Sequence, residues 1–328
     1  MALNPAAKLV SNIGDPKIEQ KPTRDGYGAG LVEAGKADPN VVVLCADLTE
    51  STRSLAFKQT YPDRFVQLGV SEQALAAIAA GMAVAGKVPF ISSYAMFSPG
   101  RNWEQVRTNI ALNEANVKIA GPHSGVSVGP DGATHQAVED MAITRVIPKL
   151  VVIAPCDVHE TRKATLAAAK FNGPVYFRFA REKTPVFTTP ETPFEIGKAS
   201  VFRDGTDVAL IACGPLVYNA LVAAEELAKD GIQCRVINNH TIKPMDEKAI
   251  TAAATECGAI VTIEEHQVHG GMGSRVAEIV AGAHPVPIEF IGVQDRFGQS
   301  GTPEELVEHY GMGVSHIKVA VKKVLKRK

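Results

Sequence analysis

The sequence has no excess of charge of either sign: 34 lysines and arginines almost balance 35 aspartates and glutamates. That removes the electrostatic case for nucleic acid or an anionic membrane as its main partner. It has no long apolar run either. The least polar stretch, Ala74 to Gly86, is far shorter than the roughly 20 residues a helix needs to cross a bilayer. No basic cluster followed by an apolar core opens the chain, and its first 22 residues are polar and punctuated by proline. A secretory leader is therefore not expected, and the reading is cytoplasmic. Cysteines are few and unpaired in spacing. Cys45, Cys156, Cys213, Cys234 and Cys257 form no CxxC, and four of them lie in or beside apolar runs, as buried free thiols do. No internal repeat at a solenoid period is visible.

What is present is a soluble globular composition, 45% hydrophobic and 21% charged, in a chain of 328 residues, longer than one core usually serves. Two domains are expected. Short apolar runs (Val41 to Cys45, Phe65 to Gln67, Val88 to Ile91, Val117 to Ala120, Leu150 to Ile153, Val175 to Phe177) alternate with helical stretches, among them Thr23 to Lys36, Arg101 to Leu112 and Val158 to Lys170. This predicts α/β architecture: two three-layer α/β/α domains with mostly parallel sheets. Residues 1–22 read as an extension that drapes over a surface or stays mobile, 23–185 as the first domain, 186–194 as a Pro-rich linker and 195–328 as a smaller second domain. The basic end, Lys322 to Lys328, reads as the solvated end of a terminal helix.

In parallel sheets ligands sit at the carboxyl ends of the strands, so the residues that follow each strand matter most. Asp47 follows the first. After Gly69 and Val70, Ser71 takes the N-cap position of an Ala- and Gly-rich helix and Glu72 its first turn. A helix with so little side-chain bulk suits close packing at a domain or subunit boundary, and by itself Glu72 reads as a carboxylate at the positive end of that helix. Tyr94 and Phe97 flank a Pro-Gly break and read as core or as a flat platform for a ring. Gly121 to Gln136 holds His123, Asp131 and His135 in a loop stiffened by glycine and proline, a costly arrangement unless the loop has a task. Arg178 and Arg181 end the next strand, one readable as a surface charge and the other as an anion ligand.

Taken together and in this order, these pieces resemble the C-terminal half of a transketolase from residue 23 onward. The motifs that carry the resemblance are GVSEQ at 69–73 and GPDGATHQAVEDMAITRVIPKLVVIAP at 129–155, supported by TIKPMD at 241–246 and EEHQVHGGMGS at 264–274. The resemblance implies that Glu72 bonds the pyrimidine ring nitrogen of thiamine diphosphate and activates the cofactor. Phe97 would then stack on that ring, Tyr94 line the pocket and Asp47 contact the cofactor site. Asp131 and His135 would bind sugar hydroxyls, and Arg24, Ser51, His123 and Arg181 the sugar phosphate.

The Gly-Asp-Gly motif with a downstream Asn, by which such enzymes hold the diphosphate and its Mg2+ or other divalent metal, is not found. Asp204-Gly205 reads as a tight turn between two strands, and no metal ligands are assigned to this chain. The resemblance thus implies one subunit of a split transketolase, bound to an N-terminal subunit that carries the diphosphate-binding domain, in an α2β2 assembly acting on sugar phosphates. Three alternatives stand beside it: a 1-deoxyxylulose-5-phosphate synthase-like enzyme, a 2-oxo acid dehydrogenase E1 β subunit, and a non-enzymatic paralogue that keeps the fold.

Overall fold

The computed structural model describes residues 3–328; Met1 and Ala2, the first positions of the expected extension, lie outside them. The strands, in chain order, are β1 (Gln20–Pro22), β2 (Val41–Cys45), β3 (Phe65–Gln67), β4 (Val88–Ser92), β5 (Lys118–Pro122), β6 (Val151–Ile153), β7 (Val175–Phe179), β8 (Lys183–Pro185), β9 (Ser200–Arg203), β10 (Val208–Ala212), β11 (Cys234–Asn238), β12 (Thr241–Lys243), β13 (Ile260–Gln267) and β14 (Ile288–Val293). They form a seven-stranded sheet in the order β12-β6-β7-β5-β4-β2-β3, a five-stranded sheet β14-β13-β10-β11-β9, and a two-stranded ribbon of β1 and β8. Every pairing in the two larger sheets is parallel except those of the edge strands β12 and β9.

Uniformly apolar strands are what a sheet covered on both faces requires. In β2, Val42 and Leu44 enter one apolar cluster while Val41 and Val43 enter another, as the two-residue period of a strand dictates. In β10, Ala209 and Ile211 join the cluster of Leu44, and Val208 and Leu210 a third. A continuous core therefore links the two large sheets. On the first sheet's outer face, the helices Thr23–Ala37 and Val158–Lys170 touch closely. A Cβ on Gly26 would lie 2.0 Å from the Val158 carbonyl oxygen, so only glycine fits there.

Several local expectations need correction. Ser71 holds the N-cap position of the helix Glu72–Val84, but its hydroxyl donates to the Leu68 carbonyl at 2.6 Å and caps nothing. The helix expected over 101–112 begins at Trp103 and widens into a π-helix, Val106–Ala111. There the Asn113 side-chain amide donates to the Thr108 and Asn109 carbonyls. Asp204-Gly205 makes no hairpin, because β9 pairs with β11 rather than with β10. Residues 241–243, expected within the second unit, return to the first sheet as β12. The extension is pinned along its length: the Asn4 N–H donates to the Phe202 carbonyl, Ile18 is buried, and β1 pairs with β8. All five cysteines are free and buried. The basic C-terminus is matched by carboxylates, Lys322 by Asp230 and both Lys323 and Arg327 by Glu289.

The Glu72–Val84 helix is covered on one side only. Leu75, Ala76, Ala79 and Ala80 are buried, whereas Ala74 and Gly81 are exposed and Ile78 and Val84 are 42% and 82% exposed. The open side carries apolar Ala74, Ile78 and Val84 beside Gln73, and among the described residues nothing outside the helix's own backbone comes within 4 Å of where a Gly81 Cβ would stand.

Candidate active site

Glu72 opens its helix beside the carboxyl end of β4, and its side chain is 1% exposed. A carboxylate taken out of water needs hydrogen bonds or a counter-charge. It has both. Ser93 Oγ donates to Oε1 at 3.1 Å, Arg101 Nη1 to Oε2 at 2.6 Å, and Asn102 Nδ2 to the Glu72 backbone carbonyl at 3.0 Å. Ser93 follows β4 directly, and the turn 95–102 swings Arg101 and Asn102 back over it. That turn needs glycine at position 100, where a Cβ would lie 1.9 Å from the Met96 carbonyl oxygen. Asn102 Oδ1 is buried and has no hydrogen-bond partner among the described residues.

The same turn presents an aromatic cluster. Tyr94 stacks on His123 at 3.8 Å between centroids and on Phe97 at 6.2 Å, and His135 meets the Phe97 ring edge-on at 5.3 Å. Beside Phe97 opens a cavity of about 470 Å³ whose wall includes Met96, Arg101, Glu139 and Ile143. His123 is buried in a left-handed backbone conformation, φ 61°. Burial, reinforced by the charges of Arg24 and Arg181, pushes its imidazole down to about 2. It is therefore a neutral donor or acceptor rather than a cation, and among the described residues its Nδ1 has no hydrogen-bond partner.

Arg24 and Arg181 stand near enough to His123 for their charges to act on it. Arg24 Nη1 donates to the backbone carbonyl of Ser51 at 2.8 Å, so the serine's contact is through its main chain. Burial, and then the neighbouring Arg53 and Arg181, lower the pKa of Arg24, against the opposing pull of Asp25 and Glu182. Arg181 is shared between Asp131 at 3.0 Å, Glu182 at 3.2 Å and the Val128 carbonyl at 3.1 Å. Asp131 thus faces an arginine in this chain. Asp47, in a left-handed conformation at φ 59°, accepts from Gln67 Nε2 at 2.9 Å. Among the described contacts, none joins Asp47 to the Glu72 group.

Arg178 is neither surface charge nor free anion ligand. Its Nε bonds Asp140 Oδ2 at 2.8 Å, an oxygen that also accepts from Tyr176 at 2.6 Å, and all three side chains are buried. Glu265 of the second sheet ties down the loop, Gln136 is held within it and to residue 299, and neighbouring Glu264 is held inside the second unit. Glu265 accepts from the Ser127 N–H and hydroxyl, Gln136 Nε2 donates to the Val126 and Gln299 carbonyls, and Glu264 accepts from the Met272 and Gly273 N–H groups. The residues that orient the site but that sequence alone does not assign are Ser93, Arg101, Asn102, Gln136, Asp140 and Glu265. Arg101 adjoins the Pro-Gly break beside the aromatics, which is the one local signal for it. The rest meet their partners only through tertiary folding.

Comparison with known proteins places this geometry in context. Residues 19–186 match the family model described as transketolase, pyrimidine binding domain, and residues 197–317 match transketolase, C-terminal domain. A chain provisionally named as a transketolase C-terminal section, from Methanocaldococcus jannaschii, is 42% identical over 94% of this chain and 97% of its own length. The 6-deoxy-6-sulfo-D-fructose transketolase subunit SqwH of Clostridium sp. (strain MSTE9) is 38% identical over 95% of this chain and 97% of its own. A solved structure described as a split gene transketolase, inactive beta4 tetramer, superposes with a TM-score of 0.88 at 42% identity, covering 94% of this chain and 99% of that one.

Proposed function

The chain belongs to the transketolase family, and we propose from that premise that it is the C-terminal subunit of a split, thiamine-diphosphate-dependent transketolase. In this reading it transfers a two-carbon ketol unit from a ketose phosphate to an aldose phosphate. The observation that carries it is a buried carboxylate, Glu72, joined through Arg101 to the Phe97 ring, which lines an open cavity. That arrangement suits the pyrimidine half of the cofactor: a carboxyl to bond a ring nitrogen and a flat face to stack on. When bound, thiamine diphosphate supplies the carbon nucleophile that carries the two-carbon unit.

Each further role is the one that the family resemblance implies, and the side chains present suit it. Glu72 holds the hydrogen bond at the ring nitrogen, with Ser93 fixing its other oxygen. Phe97 and Tyr94 position the ring and exclude water from it. His135 and Asp131 bind sugar hydroxyls, Asp47 contributes to the cofactor side, and Arg24, Arg181, His123 and Ser51 form the phosphate end. Two cations supply that end with its charge, and neutral His123 contributes a hydrogen bond but no charge. Residues 23–185 form the pyrimidine-binding domain and 195–328 the C-terminal domain of this reading, with a cytoplasmic location. The diphosphate and its divalent metal are assigned to an N-terminal partner subunit in an α2β2 assembly. The uncovered apolar side of the Glu72–Val84 helix and the inactivity of the split-gene relative as a β4 tetramer support that dependence.

The test is co-purification with the N-terminal partner, followed by assays of two-carbon transfer from xylulose 5-phosphate and of pyruvate decarboxylation. Transfer by the pair and by neither chain alone is expected. Pyruvate decarboxylation without transfer, or transfer by this chain alone, sinks the reading.

A further inference from the structure

Arg101 is the one partner of the Glu72 carboxylate that burial does not fix. It bonds Glu72 Oε2 at 2.6 Å while 49% of its own side chain remains exposed; Ser93, on the other oxygen, is fully buried. The guanidinium carbon also stands 4.9 Å from the centroid of the Phe97 ring, within the range of a cation–π attraction. Arg101 therefore spans the Glu72 carboxylate and the Phe97 face together. Those are the two surfaces that a flat, nitrogen-bearing ring would need at once. Its backbone has little freedom. Gly100 packs against Met96, and Asn102 is tied to the Glu72 carbonyl and to Ser98 Oγ. The part able to move is the side chain, at the wall of the open cavity.

We propose that Arg101 is an internal stand-in for the cofactor's pyrimidine ring: it neutralises Glu72 and covers Phe97 in the cofactor-free chain, and it must be displaced before the ring can bind. This rests on the reading that the cofactor is thiamine diphosphate. A charge-assisted hydrogen bond to a buried carboxylate is about twice as strong as a neutral one, so its loss weighs against cofactor binding. Removing Arg101 raises the free energy of the cofactor-free state, where Glu72 loses a donor, and leaves the loaded state almost unaffected. Arg101 thus lowers the apparent affinity, as any state that must be vacated before binding does.

Calorimetric titration of thiamine diphosphate with Mg2+ into the complex of this chain and its N-terminal partner tests the proposal, comparing the natural chain with Arg101→Ala and Arg101→Gln. Both variants are expected to bind about tenfold tighter, the effect of one charged hydrogen bond. Thermal unfolding supplies a second readout: the variants should lower the midpoint of the cofactor-free complex and not that of the saturated one. Equal or weaker binding by both variants, with the natural complex binding normally, overturns the stand-in role. Absence of binding by the natural complex overturns the cofactor reading itself, and the proposal with it. Should Arg101→Ala not fold, Arg101→Gln, a shorter polar side chain without the charge, decides the matter.

Discussion

Glu72 and Glu264 are both buried carboxylates beside helix starts, and they are held in opposite ways. Glu264 accepts from the N–H groups of Met272 at 2.7 Å and Gly273 at 2.9 Å, donors that cannot leave without unwinding the helix Met272–Ala283. Burial raises its pKa to about 7, against the lowering effect of those same donors. Glu72 is held by a hydroxyl and by a half-exposed guanidinium that reaches it from the solvent side. Burial alone therefore does not distinguish the carboxylate proposed to bind the cofactor from a structural one. What separates them is whether the partner is backbone or a side chain that can be exchanged for a ligand. Glu72 has the second kind of partner, and Glu264 the first.

The largest expected effects test that contrast directly. Glu72→Ala should lower two-carbon transfer by the reconstituted complex by roughly a thousandfold, within the range for loss of a group that moves or holds a proton, while circular dichroism and thermal midpoint of the subunit stay close to the natural values. Glu264→Ala should do the reverse: about 1–3 kcal/mol of stability lost as the buried Met272 and Gly273 N–H groups lose their acceptor, with activity per folded molecule little changed. An inactive but fully stable Glu264→Ala variant would erase the distinction. Arg178→Ala belongs with Glu264. It strands buried Asp140 and should cost about 3–5 kcal/mol in urea unfolding; a loss below about 1 kcal/mol would return Arg178 to the surface charge that its position in the sequence suggests.

That last case shows where the sequence is legible. The strand and helix order follows from apolar runs and helical stretches, because a doubly covered sheet leaves no ambiguity over which runs are buried. Glu72, Phe97 and His135 can be named because they sit in or beside short contiguous motifs, and the structure brings the two rings into contact. Arg101 and Asp140 cannot, since each acquires its role from a partner about 30 or more residues away. Arg178 is misplaced for a related reason. The apolar run reads as ending at Phe177, but β7 continues to Phe179, which puts Arg178 inside the sheet with Asp140 beneath it. The return of Thr241–Lys243 to the first sheet is invisible in sequence because a three-residue edge strand has no period of its own.

Smaller effects sharpen the comparison at the site's polar end. Arg24→Ala should raise KM for phosphorylated sugars by about tenfold or more, the value of a charged hydrogen bond, with kcat nearly unchanged. Arg181→Ala should raise it less, since Asp131 and Glu182 already occupy that guanidinium. Equal KM values for natural and Arg24→Ala enzymes would remove Arg24 from the phosphate end. If Arg181→Ala proved the more harmful, its carboxylate partners would have to release it when substrate binds.

The smallest expected effect lies on the seam between the two large sheets. His240 is fully buried, stacked on Phe194 at 4.3 Å, with Nδ1 against Thr241 Oγ1 at 2.9 Å and Nε2 unpartnered. Burial, with Lys163 adding repulsion, lowers its pKa to about 3. Between that value and the ordinary 6.5, the unfolded chain binds a proton that the native one does not. Stability must therefore fall as pH drops below 6.5, by at most about 1.4 kcal/mol per pH unit from this residue. His240→Gln removes the titration. The variant should be less stable near pH 7 through lost stacking, and the gap to the natural chain should close by about 1 kcal/mol between pH 6 and pH 5 in urea unfolding. Parallel stability curves over that interval would mean that His240 takes up its proton in the native state. The seam would then have the exchangeable character that Glu72 has and Glu264 lacks.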